Sequence, residues 1–148
     1  MTFRASNVLP AREYDRAKSL ALQVKNLAAN RRNAFAGGAT ATEMLSVAGN
    51  LKSFRDQLNA IKSVSGIADY ARSQESDQGY DVATEFNGVI SAIDSVIAEL
   101  VTSIPKDASG YLLVYKINVD GSLEPRAFTG ANLSTIRSRL HTIETSVS

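Results

Sequence analysis

In four stretches of this chain apolar side chains return every three or four residues, and that spacing constrains the fold more than any other feature. The strongest case is "VATEFNGVISAIDSVIAELVTSI", residues 82–104, where Val82, Phe86, Val89, Ile90, Ile93, Val96, Ile97, Leu100 and Ile104 make one stripe. A stripe at the 3.6-residue period occupies one side of an α-helix and has to be buried against another element. The many β-branched residues lower intrinsic helix propensity, but a period sustained along the whole segment outweighs that. Asp81 is placed to cap this helix and Pro105 to stop it.

Residues 8–35 carry Ala17, Leu20, Ala21, Val24, Leu27 and Ala28 at the same spacing, with Pro10 suited to the first helical position. The glycines of "AGGAT" (36–40) end that helix. Residues 40–64 follow with Met44, Val47, Ala48, Leu51, Phe54, Leu58 and Ile61, and Thr40 and Glu43 have capping-box spacing. Two long helices joined by a short glycine loop should pack antiparallel. "GIADYARSQESDQGYD" reads as a short helix around Ile67–Ala71 and then a polar loop. The last stripe, Leu133, Ile136, Leu140, Ile143 and Val147, marks a final helix that Thr129 or Asn132 is placed to cap.

Between the third and last stripes the period changes to two. In "GYLLVYKINVDGSLEPRAFTG", Tyr111, Leu113, Tyr115, Ile117 and Val119 alternate on one face, and Leu112 and Val114 make the other face apolar as well. Asp120-Gly121 is a tight-turn signal supplying positive φ angles. Pro125 on the returning strand belongs at an edge. The expected fold is mainly α: an antiparallel helical bundle with a β-hairpin followed by a C-terminal helix. It divides into a bundle over residues 1–105 and a hairpin-plus-helix unit over 106–148, packing on the bundle or on neighbouring subunits. A two-stranded hairpin is marginal alone, and its exposed edges invite pairing.

Composition narrows the function classes. The 148 residues include no cysteine and one histidine, His141, which the helical period turns away from the last apolar stripe. That removes thiolate and zinc–thiolate chemistry. There is no P-loop, EF-hand, GxSxG or HExxH pattern; Glu75, Asp77 and Asp81 read as a polar capping loop rather than a calcium site. The expectation is a non-enzyme without cofactor or metal. No run is long and apolar enough to span a bilayer, and "MTFRASNVLPAREYD" lacks the apolar middle of a secretory signal.

Charge is uneven: residues 1–65 hold ten Lys/Arg and four Asp/Glu, whereas residues 66–105 hold one and seven. Two readings follow, attraction between helices of one domain or side-by-side packing of copies, basic flank to acidic flank. The basic first helix, with Lys18, Lys25 and Arg32 on one face at heptad spacing, also admits loose, nonspecific phosphate contact with DNA. Arg31 and Arg32 are the candidates, although basic residues there equally complement the helix dipole.

The sequence over residues 67–148 resembles small structural proteins of tailed bacteriophages. The pattern rests on Tyr115, Ile117, Asp120, Gly121, Arg126, Phe128, Thr129, Leu133, Ile136, Leu140 and Ile143. In size and helical make-up the similarity is greatest to head–tail connector adaptors. The resemblance implies a virion protein, assembled in the host cytoplasm, that forms a homo-oligomeric ring, usually of twelve copies, between portal and tail proteins. It implies an interface in the hairpin and the final helix, with Tyr111, Leu113, Tyr115, Ile117, Val119 and Phe128 as candidate contacts. A capsid-associated, decoration or tail protein is the alternative within that class. A small cytoplasmic nucleic-acid or regulatory binding module is the alternative from another class.

Overall fold

The computed structural model describes residues 8–64 and 82–147. The expected elements fall there in the expected order. Helix α1 (Val8–Ala34) runs into a single 3-10 turn (Phe35–Gly37) and a two-residue strand β1 (Ala39–Thr40). Helices α2 (Ala41–Lys62) and α3 (Val82–Thr102) follow. Three short strands, β2 (Tyr115–Ile117), β3 (Leu123–Pro125) and β4 (Ala127–Phe128), precede α4 (Ser134–Ser146). The expected short helix near residue 67, the "SQESDQG" loop and the Asp81 cap lie outside the described residues.

The helix ends follow their local chemistry. Thr40 and Glu43 form the expected capping box: the Glu43 N–H donates to Thr40 Oγ1 at 3.1 Å and the Thr40 N–H to Glu43 Oε1 at 3.3 Å. Helix α1 is described from Val8, which puts Pro10 within its first described turn. A first-turn N–H has no intrahelical acceptor, which makes proline tolerable in a first turn. Gly38 is the glycine of "AGGAT" that turns left-handed, at φ 104°. Thr129 caps earlier than expected. Its Oγ1 accepts from the Asn132 N–H at 3.3 Å, closing a lead-in turn before α4. Leu133, at the N-cap position of α4 itself, supplies no side-chain cap.

The four described helices make an up-down-up-down bundle. Cross-links give the directions: Arg16 to Gln57 joins α1 to α2, Arg55 to Asp94 and Lys62 to Asn87 join α2 to α3, and Lys25 to the Val147 carbonyl and Arg32 to Glu144 join α1 to α4. Helices α1 and α3 occupy opposite corners, each packed mainly on α2 and α4. They meet across the core through Tyr14 and Phe86, ring centroids 6.2 Å apart.

The described members of each apolar stripe are buried inside the bundle, Leu27, Phe54 and Ile97 only partly so. Leu133, Ile136, Leu140, Ile143 and Val147 share that core. Of the two placements expected for the unit over 106–148, α4 takes packing on the bundle, with its apolar stripe in the shared core.

Candidate functional site

A hairpin of this length needs support, and the chain supplies it. Strand β4 pairs antiparallel with β1, Ala39 opposite Phe128 and Thr40 opposite Ala127. The Ala41 N–H donates to the Arg126 carbonyl at 2.7 Å. Arg126 Nε donates to the Leu113 carbonyl at 3.0 Å. At the hairpin's start, Leu113 N–H donates to the Pro105 carbonyl at 2.8 Å and Asp107 N–H to the Tyr111 carbonyl at 2.9 Å. Leu112, Val114 and Phe128 pack against the helical core. The hairpin base is thus stitched to the helices by its own chain, and no partner is needed to hold it.

The tip is different. Strands β2 and β3 pair with Tyr115 opposite Pro125, Lys116 opposite Glu124 and Ile117 opposite Leu123. Their connection is a three-residue loop, not a two-residue turn. Gly121 N–H donates to the Asn118 carbonyl and Asn118 N–H to the Ser122 carbonyl, both at 2.9 Å. Only Gly121 has a positive φ, 86°, and Asp120 does not. This is a type I turn closed by a left-handed glycine, the usual three-residue solution. The Asp120 carboxylate accepts from Ser122 Oγ at 2.6 Å and Ser122 N–H at 3.0 Å, which holds its pKa below the usual value.

Because side chains alternate, Tyr115, Ile117, Leu123 and Pro125 share one face of the tip, and Lys116 and Glu124 the other. All six are exposed. Ile117 is 73% and Leu123 65% accessible, with Tyr115 at 50% and Tyr111 at 73%. Both faces of the tip are open to water, the apolar one included. The β2 edge is open too. Arg126 N–H donates to the Val114 carbonyl, so the even-numbered residues face β3. The N–H and C=O groups of Tyr115 and Ile117 therefore point outward. Pro125, at a position not bonded to β2, turns its donor-less nitrogen to the opposite edge, as expected.

The candidate interface residues therefore separate. Tyr111, Tyr115, Ile117 and Val119 are exposed. Leu113 is half-buried, with its N–H and C=O both engaged by its own chain. Phe128 is half-buried, paired through β4 and packed on the core. Both are engaged within the chain, Leu113 by Pro105 and Arg126, and Phe128 by β1 and the core. Leu123 was missed and belongs to the open face. The signal was its register opposite Ile117 across a short loop, which a two-residue turn would have shifted.

The basic face of α1 is largely occupied. Lys25 Nζ donates to the Val147 carbonyl at 3.2 Å, and Lys18 Nζ lies 5.8 Å from the Tyr14 ring centroid. Arg32 grips Glu144 with Nε at 2.6 Å and Nη2 at 3.2 Å, which lowers the Glu144 pKa. Arg31 is half-buried, and its Nε has no partner among the described residues. Lys25 and Arg32 of the heptad row thus hold the C-terminal part of the chain, and Arg32 is not a free phosphate contact. Charge attraction inside the domain holds for the described carboxylates of α3: Asp94 pairs with Arg55 at 2.8 Å and Glu99 with Arg139 at 3.4 Å. Their partners belong to α2 and α4, not to α1 across the core. His141 is exposed on the surface of α4, 3.7 Å from Glu144.

Among the described residues no helix is long and apolar enough to cross a membrane, and no three His, Asp or Glu side chains cluster in a way that could hold a metal ion. No protein-family model matches the chain, and no curated protein or solved structure is significantly similar to it.

Proposed function

We propose that this chain is a non-enzymatic assembly protein whose hairpin tip docks on a neighbouring subunit. One observation carries the reading: the tip turns Tyr115, Ile117 and Leu123 to water on one face and Lys116 and Glu124 on the other. A strand pair evolved only to stay soluble would place its polar face outward and its apolar face on the helices. Burying three such side chains against a partner supplies the hydrophobic term for association. The open β2 edge adds backbone hydrogen bonds that fix register.

The biological setting in this proposal is a phage virion, with the protein as a head–tail connector adaptor forming a ring between portal and tail. That setting rests on the sequence resemblance over residues 67–148. A capsid-associated or tail protein would use the same open face against a different neighbour.

Native mass spectrometry of the untagged chain, alone and mixed with a portal ring, tests the proposal. A closed oligomer or a stoichiometric portal complex, lost in the Ile117→Lys/Leu123→Lys variant, supports it. A chain that stays monomeric and binds no virion component sinks it.

A further inference from the structure

The cleft between the C-terminal end of α1 and the first two turns of α4 is lined by Arg32, Ser134, Arg137, Ser138 and His141, around a cavity of about 360 Å³. Four of these come from one face of α4, where positions 134, 137, 138 and 141 follow the three-and-four spacing of a helix. Arg137 Nε donates to the Arg32 carbonyl at 2.9 Å, a group at the end of α1 that its own helix leaves unpaired. This single bond anchors the guanidinium plane across the two helices. Its two terminal nitrogens, and the Ser134 and Ser138 hydroxyls, have no protein partner among the described residues.

We propose that this cleft binds a phosphate group. A guanidinium fixed at Nε presents its remaining two nitrogens as a fork that matches two oxygens of a phosphate. Two serine hydroxyls and the His141 imidazole add donors around the same cavity. That number of donors suits a tetrahedral oxyanion with several acceptor oxygens better than a carboxylate with two. The permanently charged side chains at the cleft are Arg32 and Arg137, with Glu144 beside Arg32. Arg32 is committed to Glu144, so Arg137 supplies the unneutralised positive charge. A free phosphate and a phosphodiester of nucleic acid present the same chemistry to these groups.

The test is a titration of the full-length chain, followed by backbone amide NMR, with inorganic phosphate replacing chloride at constant ionic strength. A second arm uses a short oligothymidylate. Saturable shifts confined to Ser134, Arg137, Ser138, His141 and the end of α1 are expected, and Arg137→Gln should weaken binding by about tenfold, the loss of one charge-assisted fork. Saturation by inorganic phosphate identifies a small-anion site; saturation by the oligonucleotide alone identifies a nucleic-acid backbone contact. Both support the proposal. If Arg137→Gln disturbs the α1–α4 contact, the Ser134→Ala/Ser138→Ala variant carries the test, since neither hydroxyl bonds the protein. No saturable shift with either probe overturns the proposal, as does affinity unchanged in both variants.

Discussion

Arg126 reaches across the hairpin base to the Leu113 carbonyl, Nε to oxygen 3.0 Å, while its own carbonyl accepts from Ala41 at the start of α2. One residue therefore ties the first strand of the hairpin to the second and both to the bundle. Arg126→Ala removes the side-chain bond, worth about 1 kcal/mol, and leaves the backbone bonds in place. Hydrogen exchange should speed up at the amides of Lys116, Asn118 and Arg126, with no change at the buried helix amides. Equal acceleration throughout would show that the hairpin and bundle open as one unit.

The open edge and the open face are separable. The Ile117 N–H points away from β3, so Ile117→Pro removes an outward donor and spares the β2–β3 ladder. If a neighbour adds a strand, this variant should abolish assembly as fully as Ile117→Lys does. If only the face is used, it should assemble nearly normally. Because Ile117 is exposed, Ile117→Lys should shift monomer stability by no more than about 0.5 kcal/mol, checked by urea unfolding.

Gly38 combines a φ of 104° with the Phe128 carbonyl oxygen, which an added Cβ would meet at 2.7 Å. Gly38→Ala should cost roughly 1–3 kcal/mol, because strain and a backbone clash fall at the β1–β4 seam. At Gly121, φ is 86° but the space is open. Gly121→Ala should cost about 1 kcal/mol, the left-handed penalty alone. Thermal unfolding of the pair should rank them in that order.

Leu140 is fully buried where α4 meets the rest of the core. Leu140→Ala should lower stability by about 2–5 kcal/mol in a single cooperative transition. A separate early transition for residues beyond 105, seen as biphasic denaturant unfolding, would contradict one shared core.

The Arg32–Glu144 pair sets a pH dependence. Arg32 holds the Glu144 carboxyl below its ordinary pKa of 4.5, chiefly through the side-chain hydrogen bond. A depressed folded value contributes stability above the unfolded pKa, and that contribution is lost as pH falls through the folded value. Melting temperature should therefore drop below about pH 4.5, and drop less steeply in Glu144→Gln. Parallel acid limbs for the two proteins would mean that the pair adds nothing to stability.

The bundle was legible because a buried helix face leaves a period of 3.6 in the sequence whatever it packs against. The stripes from Ala17, Met44, Phe86 and Leu133 onward all turned inward, and the Thr40–Glu43 box and the hairpin were equally local. What local pattern does not contain is adjacency between distant segments. Nothing near Phe128 announces that Ala39 pairs with it, or that α1 and α3 sit at opposite corners. Those choices come from filling one core with four helices and closing the backbone bonds left at its ends. They decide which of the hairpin's apolar residues are consumed by the fold, Leu112, Val114 and Phe128, and which are left open to water, Tyr115, Ile117 and Leu123. The period of two identified both faces; only the packing of the helices determined that the base of the hairpin would be covered and its tip left open.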